Sequence, residues 1–202
     1  MKHVIITIGR EFGSGGREIG VKLAEKLRIP FFDKEIIRKA AEDSGIVESV
    51  MDYYDEHHTS PIFATGSILF DIYQMPMSDR VYIEQSKAIK SIAEKGSCVI
   101  VGRCADVILE KYPGLVRIFI CADMEARVAR KREVLKDKKD AQIESHIRSV
   151  DRKRAKYYSY YTDKKWGEAR HYDICINSSL LGIDGTVDLI ADAALVREAK
   201  LE

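Results

Sequence analysis

The sequence has no long apolar run and no excess of charge of either sign. No apolar stretch approaches the ~18 residues that a membrane-spanning helix needs, so we expect no such helix. We also expect no signal peptide, because the first residues lead directly into an apolar, strand-like run. With 33 basic against 32 acidic residues, the net charge of +1 argues against nucleic-acid binding through bulk electrostatics. These absences predict a cytoplasmic protein.

Cysteine is scarce, with 4 residues in the chain, and its spacing excludes the common cysteine-based metal sites. No Cys-x-x-Cys pair occurs, and no histidine stands at a recognisable ligand spacing. Cys98, Cys121 and Cys175 each fall within a short apolar run, where we expect buried free thiols in a reducing environment. The residues that would hold a metal ion stay unassigned.

A lysine is missing from the segment that carries most of the functional information. Residues 9–20 contain five glycines, follow the apolar run Val4–Ile8 and precede an amphipathic stretch. A strand, a glycine turn and a helix in this order form a phosphate cradle, in which backbone N–H groups and the helix dipole face the anion. A Walker A loop would place lysine directly after Gly-Ser-Gly, but Gly16 stands there.

Without that lysine, Arg17 or Arg10 must supply the positive charge if the loop holds phosphates. The candidate phosphate-binding residues are Gly13, Ser14, Gly15, Gly16, Arg17 and Glu18. A Walker A loop also carries a Ser or Thr hydroxyl that binds Mg²⁺, and this hydroxyl is missing here as well. Glu18 either interacts favourably with the positive end of the helix dipole or takes the place of that hydroxyl beside the metal. The alternative is a glycine-rich turn that binds nothing, although five glycines cost chain entropy that a simple turn would avoid.

Short apolar runs alternate with helical patterns along the chain, which predicts an α/β fold with a parallel five-stranded sheet flanked by helices. We expect strands at Val4–Ile8, about Pro30–Phe32, Cys98–Val101, Arg117–Cys121 and Asp173–Ile176. We expect a helix after the glycine loop and further helices at Lys34–Asp43, Arg80–Glu94, Met124–Lys136, Ala141–Tyr157 and Ile183–Ala199. We expect residues 1–202 to form one domain, with an acceptor-side insertion at about residues 34–80 and a basic helical lid at about residues 140–168.

The stretch from Ile5 to Asp33 resembles the start of bacterial cytidylate kinases, through Gly13-Ser14-Gly15, Lys22–Leu27 and Pro30–Asp33. It is more similar to the cytidylate kinase-like family, whose members replace the P-loop lysine in this way. The resemblance covers most of the chain apart from about residues 44–78. It implies a P-loop nucleoside monophosphate kinase fold, ATP and Mg²⁺ as cofactors, and phosphoryl transfer to a nucleotide-like acceptor.

Two further positions match the resemblance on the acceptor side. Val101-Gly102-Arg103 resembles the Gly-Arg-Asp motif of cytidylate kinases, which implies that Arg103 helps to hold the acceptor nucleotide. Cys104 replaces the aspartate, so cytidine selectivity is not implied, and we expect Asp106 on the exposed face of a helix. Asp33 follows the second strand and is predicted to accept the acceptor hydroxyl or to organise Mg²⁺, with a helix N-cap as the alternative.

The segment Asp151-Arg152-Lys153-Arg154 resembles the Asp-Arg-x-Arg lid motif, which implies that Arg152 and Arg154 neutralise the transferring phosphoryl group. Residues two apart do not share one face of a straight helix, so a broken helix or a junction is needed for both arginines to reach phosphate. The tyrosines at 157–161 and Trp166 either pack the lid, line a base pocket or stack on nucleic acid. The second basic run, Arg127 to Lys139, carries interspersed acids and is predicted to be a solvated, ion-paired face.

The leading hypothesis is a phosphotransferase that moves the γ-phosphoryl group of a nucleoside triphosphate to a nucleoside monophosphate or similar acceptor. In this hypothesis Arg17, Asp33, Arg152 and Arg154 are catalytic, and Asp33 and Arg103 bind the acceptor. A nucleotide-binding module without turnover is the first alternative, because the lysine is absent, and an RNA-associated protein is a weaker one. The sequence predicts small-molecule nucleotide partners and leaves the acceptor's identity and the oligomeric state open.

Overall fold

A computed structural model describes residues 3–37 and 76–201 of the chain. Five parallel strands form one sheet in the order β2-β3-β1-β4-β5, which confirms the predicted fold. The strands are β1 Ile5–Arg10, β2 Phe31–Phe32, β3 Cys98–Val101, β4 Leu115–Cys121 and β5 Ile174–Asn177. Because β1 lies between β3 and β4, the loop that follows it opens at the centre of the sheet's carboxyl edge.

Helices cover both faces of this sheet. They are α1 Gly16–Leu27, α2 Met77–Glu94, α3 Ala105–Ile108, α4 Met124–Arg132, α5 Asp140–Thr162 and α6 Ser178–Ala199, with a short 3₁₀ helix at Ala169–His171. Residues 34–37 are also helical, while most of the predicted insertion lies outside the described residues. Helix α6 is kinked at Gly182, whose φ of 67° is left-handed.

The core forms two layers, one on each face of the sheet. On one face, Ile6 and Ile8 of β1 pack with Ile19 and Leu23 of α1 and with buried residues of α6. On the other face, Ile5 packs with buried residues of α2, β3 and α3. The strands are apolar on both faces because helices cover both, as is usual for parallel sheets.

Gly20 lets α1 approach the sheet closely. A Cβ atom at this position would lie 2.9 Å from Cγ2 of Val101 and 3.0 Å from Cε2 of Phe31. The helix backbone therefore lies nearer to β2 and β3 than an alanine would permit. This close approach places the beginning of α1 beside the carboxyl end of β3.

The four cysteines are free thiols, but they are not all buried. Cys98 and Cys104 are buried, Cys121 is half-buried and Cys175 is exposed. The expectation of a buried thiol was wrong for Cys175, because β5 is an edge strand and one of its faces is open. In the described part of the chain, no helix has the length and apolar character needed to cross a bilayer.

Gly20→Ala is expected to lower the free energy of unfolding by about 1–3 kcal/mol, because the added methyl group overpacks the interface between α1 and the sheet. Chemical denaturation followed by circular dichroism measures this change. Gly185→Ala is the matched control, since a Cβ there meets only Cβ of Leu181 at 3.4 Å and alanine favours the helix. Equal effects of the two substitutions would contradict the close packing at Gly20.

Candidate active site

A cleft of about 700 Å³ opens at the carboxyl ends of β1 and β3, beneath α5. Its described lining includes six basic side chains, which are Arg10, Lys34, Arg103, Lys153, Arg154 and Lys156. Asp106 is the acidic residue among the described lining residues. This composition suits an anionic ligand of nucleotide size.

Three arginines from three elements converge in this cleft. Arg10 ends β1, Arg103 follows β3 and Arg154 lies on α5. Burial, with repulsion from Arg154 and Arg103, lowers the pKa of Arg10 to about 9, and Asp33 opposes this change. Burial and the charges of Arg103 and Arg127 also lower the pKa of Arg154. Such a concentration of positive charge is relieved by a bound anion.

Arg103 stands in a strained turn. Gly102, Arg103 and Cys104 have φ angles of 85°, 59° and 55°, so three successive residues are left-handed. A non-glycine residue in this region costs of order 1–2 kcal/mol, and such strain is concentrated at functional sites. The turn holds the Arg103 guanidinium over the Tyr157 ring, 5.6 Å from its centroid.

Asp106 is buried rather than exposed, which corrects the expectation from the sequence. Its side chain faces the cleft, and the Tyr158 hydroxyl donates a 2.7 Å hydrogen bond to Oδ2. Burial raises the pKa of Asp106, although the bond from Tyr158 opposes the shift. Asp106 therefore supplies a carboxyl group close to the position where Cys104 replaces the family's aspartate.

Helix α5 is continuous over its 23 residues, so it has no break or junction that would bring both Arg152 and Arg154 to one phosphate. Nη1 of Arg154 donates to the backbone oxygen of Arg10 at 3.0 Å, and the Arg154 guanidinium lies 5.5 Å from the Phe12 ring centroid. Arg152 is exposed and does not line the cleft. The structure thus brings Arg154 into the site and leaves Arg152 outside it.

Arg17 and Asp33 pair with each other. Nε and Nη2 of Arg17 lie 2.9 and 2.8 Å from Oδ2 of Asp33, and the Arg17 side chain is 67% exposed. Oδ1 of Asp33 accepts the amide hydrogens of Glu35 and Ile36, so Asp33 also caps the helix that begins at residue 34. Neither residue is in the described lining of the cleft, although Asp33 is near enough to affect Arg10.

The glycine loop is shaped by its own polar groups. The Ser14 hydroxyl donates to the backbone oxygen of Glu11 at 2.9 Å, and the Ser14 carbonyl accepts the Ser178 hydroxyl at 2.7 Å. Gly13 and Gly15 have φ angles of 84° and 81°, which side-chain-bearing residues rarely adopt. Glu18 is exposed on the first turn of α1. Ser14 therefore has a structural role in this conformation.

Arg127 supports the loop from outside, although the sequence placed it on a solvated face. Its side chain is 5% exposed, its Nε donates to the Phe12 carbonyl at 2.8 Å, and its Nη atoms contact Glu11 and Asp151. Oδ1 of Asp151 accepts the Phe12 amide hydrogen at 2.8 Å. The neighbouring basic residues are exposed or half-buried, so nothing in the local sequence distinguishes Arg127 from them. Its role is visible only from its contacts in the folded structure.

Of the tyrosines after Arg154, Tyr158 and Tyr161 pack within the protein, whereas Tyr160 is exposed. Tyr161 stacks on Tyr82 with ring centroids 3.9 Å apart, Tyr158 is buried, and Trp166 meets Phe119 edge-on at 5.3 Å. Trp166 also lines the cleft. This arrangement favours the packing interpretation, with Trp166 available to a base, over stacking on nucleic acid.

Among the described residues, no group of three His, Cys, Asp or Glu side chains is placed to hold a metal ion. The carboxylate that follows β2, Asp33, is paired with Arg17. This donor set does not form a protein cage for Mg²⁺. It is compatible with an ion that enters already bound to phosphate oxygens, as Mg²⁺ commonly does.

The model of the cytidylate kinase-like family matches residues 5–180 of the chain. The chain belongs to the cytidylate kinase-like family. A relative, the cytidylate kinase of Archaeoglobus fulgidus, is 30% identical over 204 residues, which cover 98% of this chain and 98% of that protein.

Solved structures agree with the fold of this cytidylate kinase-like protein. An uncharacterised protein from Eubacterium ventriosum is 30% identical, with a TM-score of 0.74, over 95% of this chain and 98% of that chain. Shikimate kinase from Bacteroides thetaiotaomicron is 15% identical, with a TM-score of 0.54, over 94% and 97% of the two chains. The second likeness shows a shared P-loop kinase fold.

Asp106→Asn is expected to gain stability relative to the wild type as pH rises from about 4 to about 8. Folding raises the pKa of this buried carboxyl, because burial disfavours its charged form. The protonated carboxyl therefore contributes to the stability of the wild type at low pH, and this contribution is lost as pH rises and the carboxyl ionises. Asparagine keeps an acceptor for Tyr158 without the charge. The melting temperatures of both proteins across this pH range measure the effect, with the exposed Asp137→Asn as control. A difference that stays constant or shrinks with pH would contradict the burial of a charged Asp106.

Proposed function

We propose that this protein is a nucleotide kinase that transfers the γ-phosphoryl group of ATP, supplied as its Mg²⁺ complex, to a nucleoside monophosphate or a similar acceptor. The observation that carries the proposal is the convergence of Arg10, Arg103 and Arg154 beside the glycine loop. Three guanidinium groups around one cleft would neutralise part of the charge that two sets of phosphates bring. The family's name and the cytidylate kinase of Archaeoglobus fulgidus support the same class.

The donor triphosphate is proposed to bind on the glycine loop. Residues 13–16 lead into α1, whose first backbone N–H groups have no intrahelical partner and favour an anion. Arg127 fixes the loop by holding the Phe12 carbonyl. Arg17 and Glu18 stay proposed donor-side residues because of their position after the glycines.

The acceptor is proposed to bind in the cleft, with its phosphate on Arg103 and its base towards Asp106 and Trp166. The cleft volume of about 700 Å³ is suited to a ligand of this size. Asp33 lies next to Lys34 of the cleft lining and is proposed to border the acceptor. Cytidine is not singled out, because Cys104 is buried and has little hydrogen-bonding capacity.

In the proposed reaction an acceptor phosphate oxygen attacks the γ-phosphorus atom, and the bond to the β–γ bridging oxygen breaks to release ADP. This chemistry depends on positioning and on neutralising charge that develops on the transferred group. Arg154 would approach that group from α5, and Arg103 would hold the attacking phosphate. Enclosure beneath α5 would reduce hydrolysis by excluding water.

The decisive experiment incubates the protein with ATP, Mg²⁺ and a panel of nucleoside monophosphates and small phosphate acceptors, and measures ADP. ADP formation with a nucleoside monophosphate is expected. ATP binding without ADP for any acceptor would instead favour a nucleotide-binding module. Absence of binding to any triphosphate would overturn both functions.

Arg154→Ala is expected to lower kcat by about 10²–10³-fold, because it removes one positive group from the transferring phosphate. Arg152→Ala is the matched control on the same helix and should change kcat by less than about threefold, since Arg152 is exposed and outside the cleft. Steady-state kinetics with the acceptor found above measure both. Equal losses would show that Arg152 reaches the site, as the sequence motif implied.

A further inference from the structure

We propose that Arg10 supplies the positive charge that a lysine at position 16 would supply, and that Gly16 is required because the Arg10 stem fills the space of that lysine. This inference rests on the proposed function, since it needs a phosphate donor on the glycine loop. The sequence left Arg10 and Arg17 as equal candidates for the charge. The geometry distinguishes them.

The aliphatic part of the Arg10 side chain (its stem) lies against Gly16, the first residue of α1. A Cβ atom on Gly16 would be 2.6 Å from Cβ of Arg10 and 2.9 Å from its Cγ. Real side chains do not approach this closely, and these atoms are next to the backbone, where they have little freedom to move. An arginine at position 10 and any side chain at position 16 therefore exclude one another in this backbone.

The guanidinium group of Arg10 lies beside Gly102, just after the end of β3. A Cβ atom on Gly102 would overlap Nη1 of Arg10 and would lie 3.0 Å from its Cζ. Gly102 is also left-handed, with a φ of 85°, so glycine suits the position on two grounds. The side chain thus runs from the start of α1, where the donor is proposed to bind, towards Arg103, where the acceptor is proposed to bind.

Arg17 has a different environment. It is 67% exposed, and Asp33 already neutralises it through contacts of 2.8 and 2.9 Å. For Arg10, the described part of the chain shows no hydrogen-bonded carboxylate, and its neighbours Arg103 and Arg154 are of like charge. A phosphate would relieve this repulsion at Arg10, whereas at Arg17 it would compete with an existing ion pair.

Arg10→Met tests the charge, because methionine keeps an unbranched stem against Gly16 and removes the guanidinium. We expect a folded protein whose affinity for inorganic tripolyphosphate falls by at least about tenfold and whose kcat falls by about 100-fold or more. Arg17→Met should lose affinity by a smaller factor than Arg10→Met, since the charge of Arg17 is exposed and already paired with Asp33. Arg28→Met is the control, because Arg28 is exposed at the far end of α1, and it should change the affinity by less than about threefold. Calorimetry measures tripolyphosphate affinity without any need for turnover.

An exchange of positions tests the shared space. Gly16→Lys alone should lower the melting temperature and the tripolyphosphate affinity, because the new side chain meets the Arg10 stem. Arg10→Gly combined with Gly16→Lys should restore both relative to Gly16→Lys. Arg17→Ala combined with Gly16→Lys should restore neither.

Wild-type affinity for tripolyphosphate in Arg10→Met would overturn the inference, as would relief of Gly16→Lys by Arg17→Ala rather than by Arg10→Gly. If the wild type transfers phosphate and Arg10→Met transfers it equally well, this inference fails while the proposed function stands. If tripolyphosphate binding depends on Arg10 but no acceptor is phosphorylated, the proposed function fails alone. A wild type that binds neither ATP nor tripolyphosphate would overturn both.

Discussion

The buried arginine Arg127 joins the glycine loop to helix α5, both of which contribute residues to the cleft wall. It contacts Glu11 and the Phe12 carbonyl in the loop and Asp151 on α5, while its own backbone belongs to α4. Loss of one partner from such a buried network typically costs ~3–5 kcal/mol, because a charge is left uncompensated. The loop is therefore held in place by the protein itself, which would reduce the entropy cost of binding an anion there.

The same network limits how α5 can move. Asp151 ties the helix to the loop, and about two turns of helix further on, Tyr158 ties it to Asp106 of α3. The predicted closing of a lid over the site would have to carry the loop and α3 with it, or occur in parts of the chain beyond these two anchors. Arg154 lies between the anchors, so its position relative to Arg10 is fixed by both.

The sheet was predictable from the sequence because parallel strands covered on both faces are continuous apolar runs. All five strands lie within a few residues of their predicted places, and Arg103 was found because it directly follows such a run. Burial of charged residues was not predictable. Arg127 and Asp106 carry ordinary helix-surface patterns, and only their partners Asp151 and Tyr158, distant in sequence, explain why they lie inside.

The position of Trp166 gives the cleft its own optical reporter. It is the only tryptophan in the chain, it forms part of the cleft wall, and its ring rests edge-on against Phe119 of β4. A nucleobase that entered the cleft would change the polarity around this indole and quench or shift its emission. Ligand entry is thereby visible in the intrinsic fluorescence of the unlabelled protein, without a contribution from any second indole.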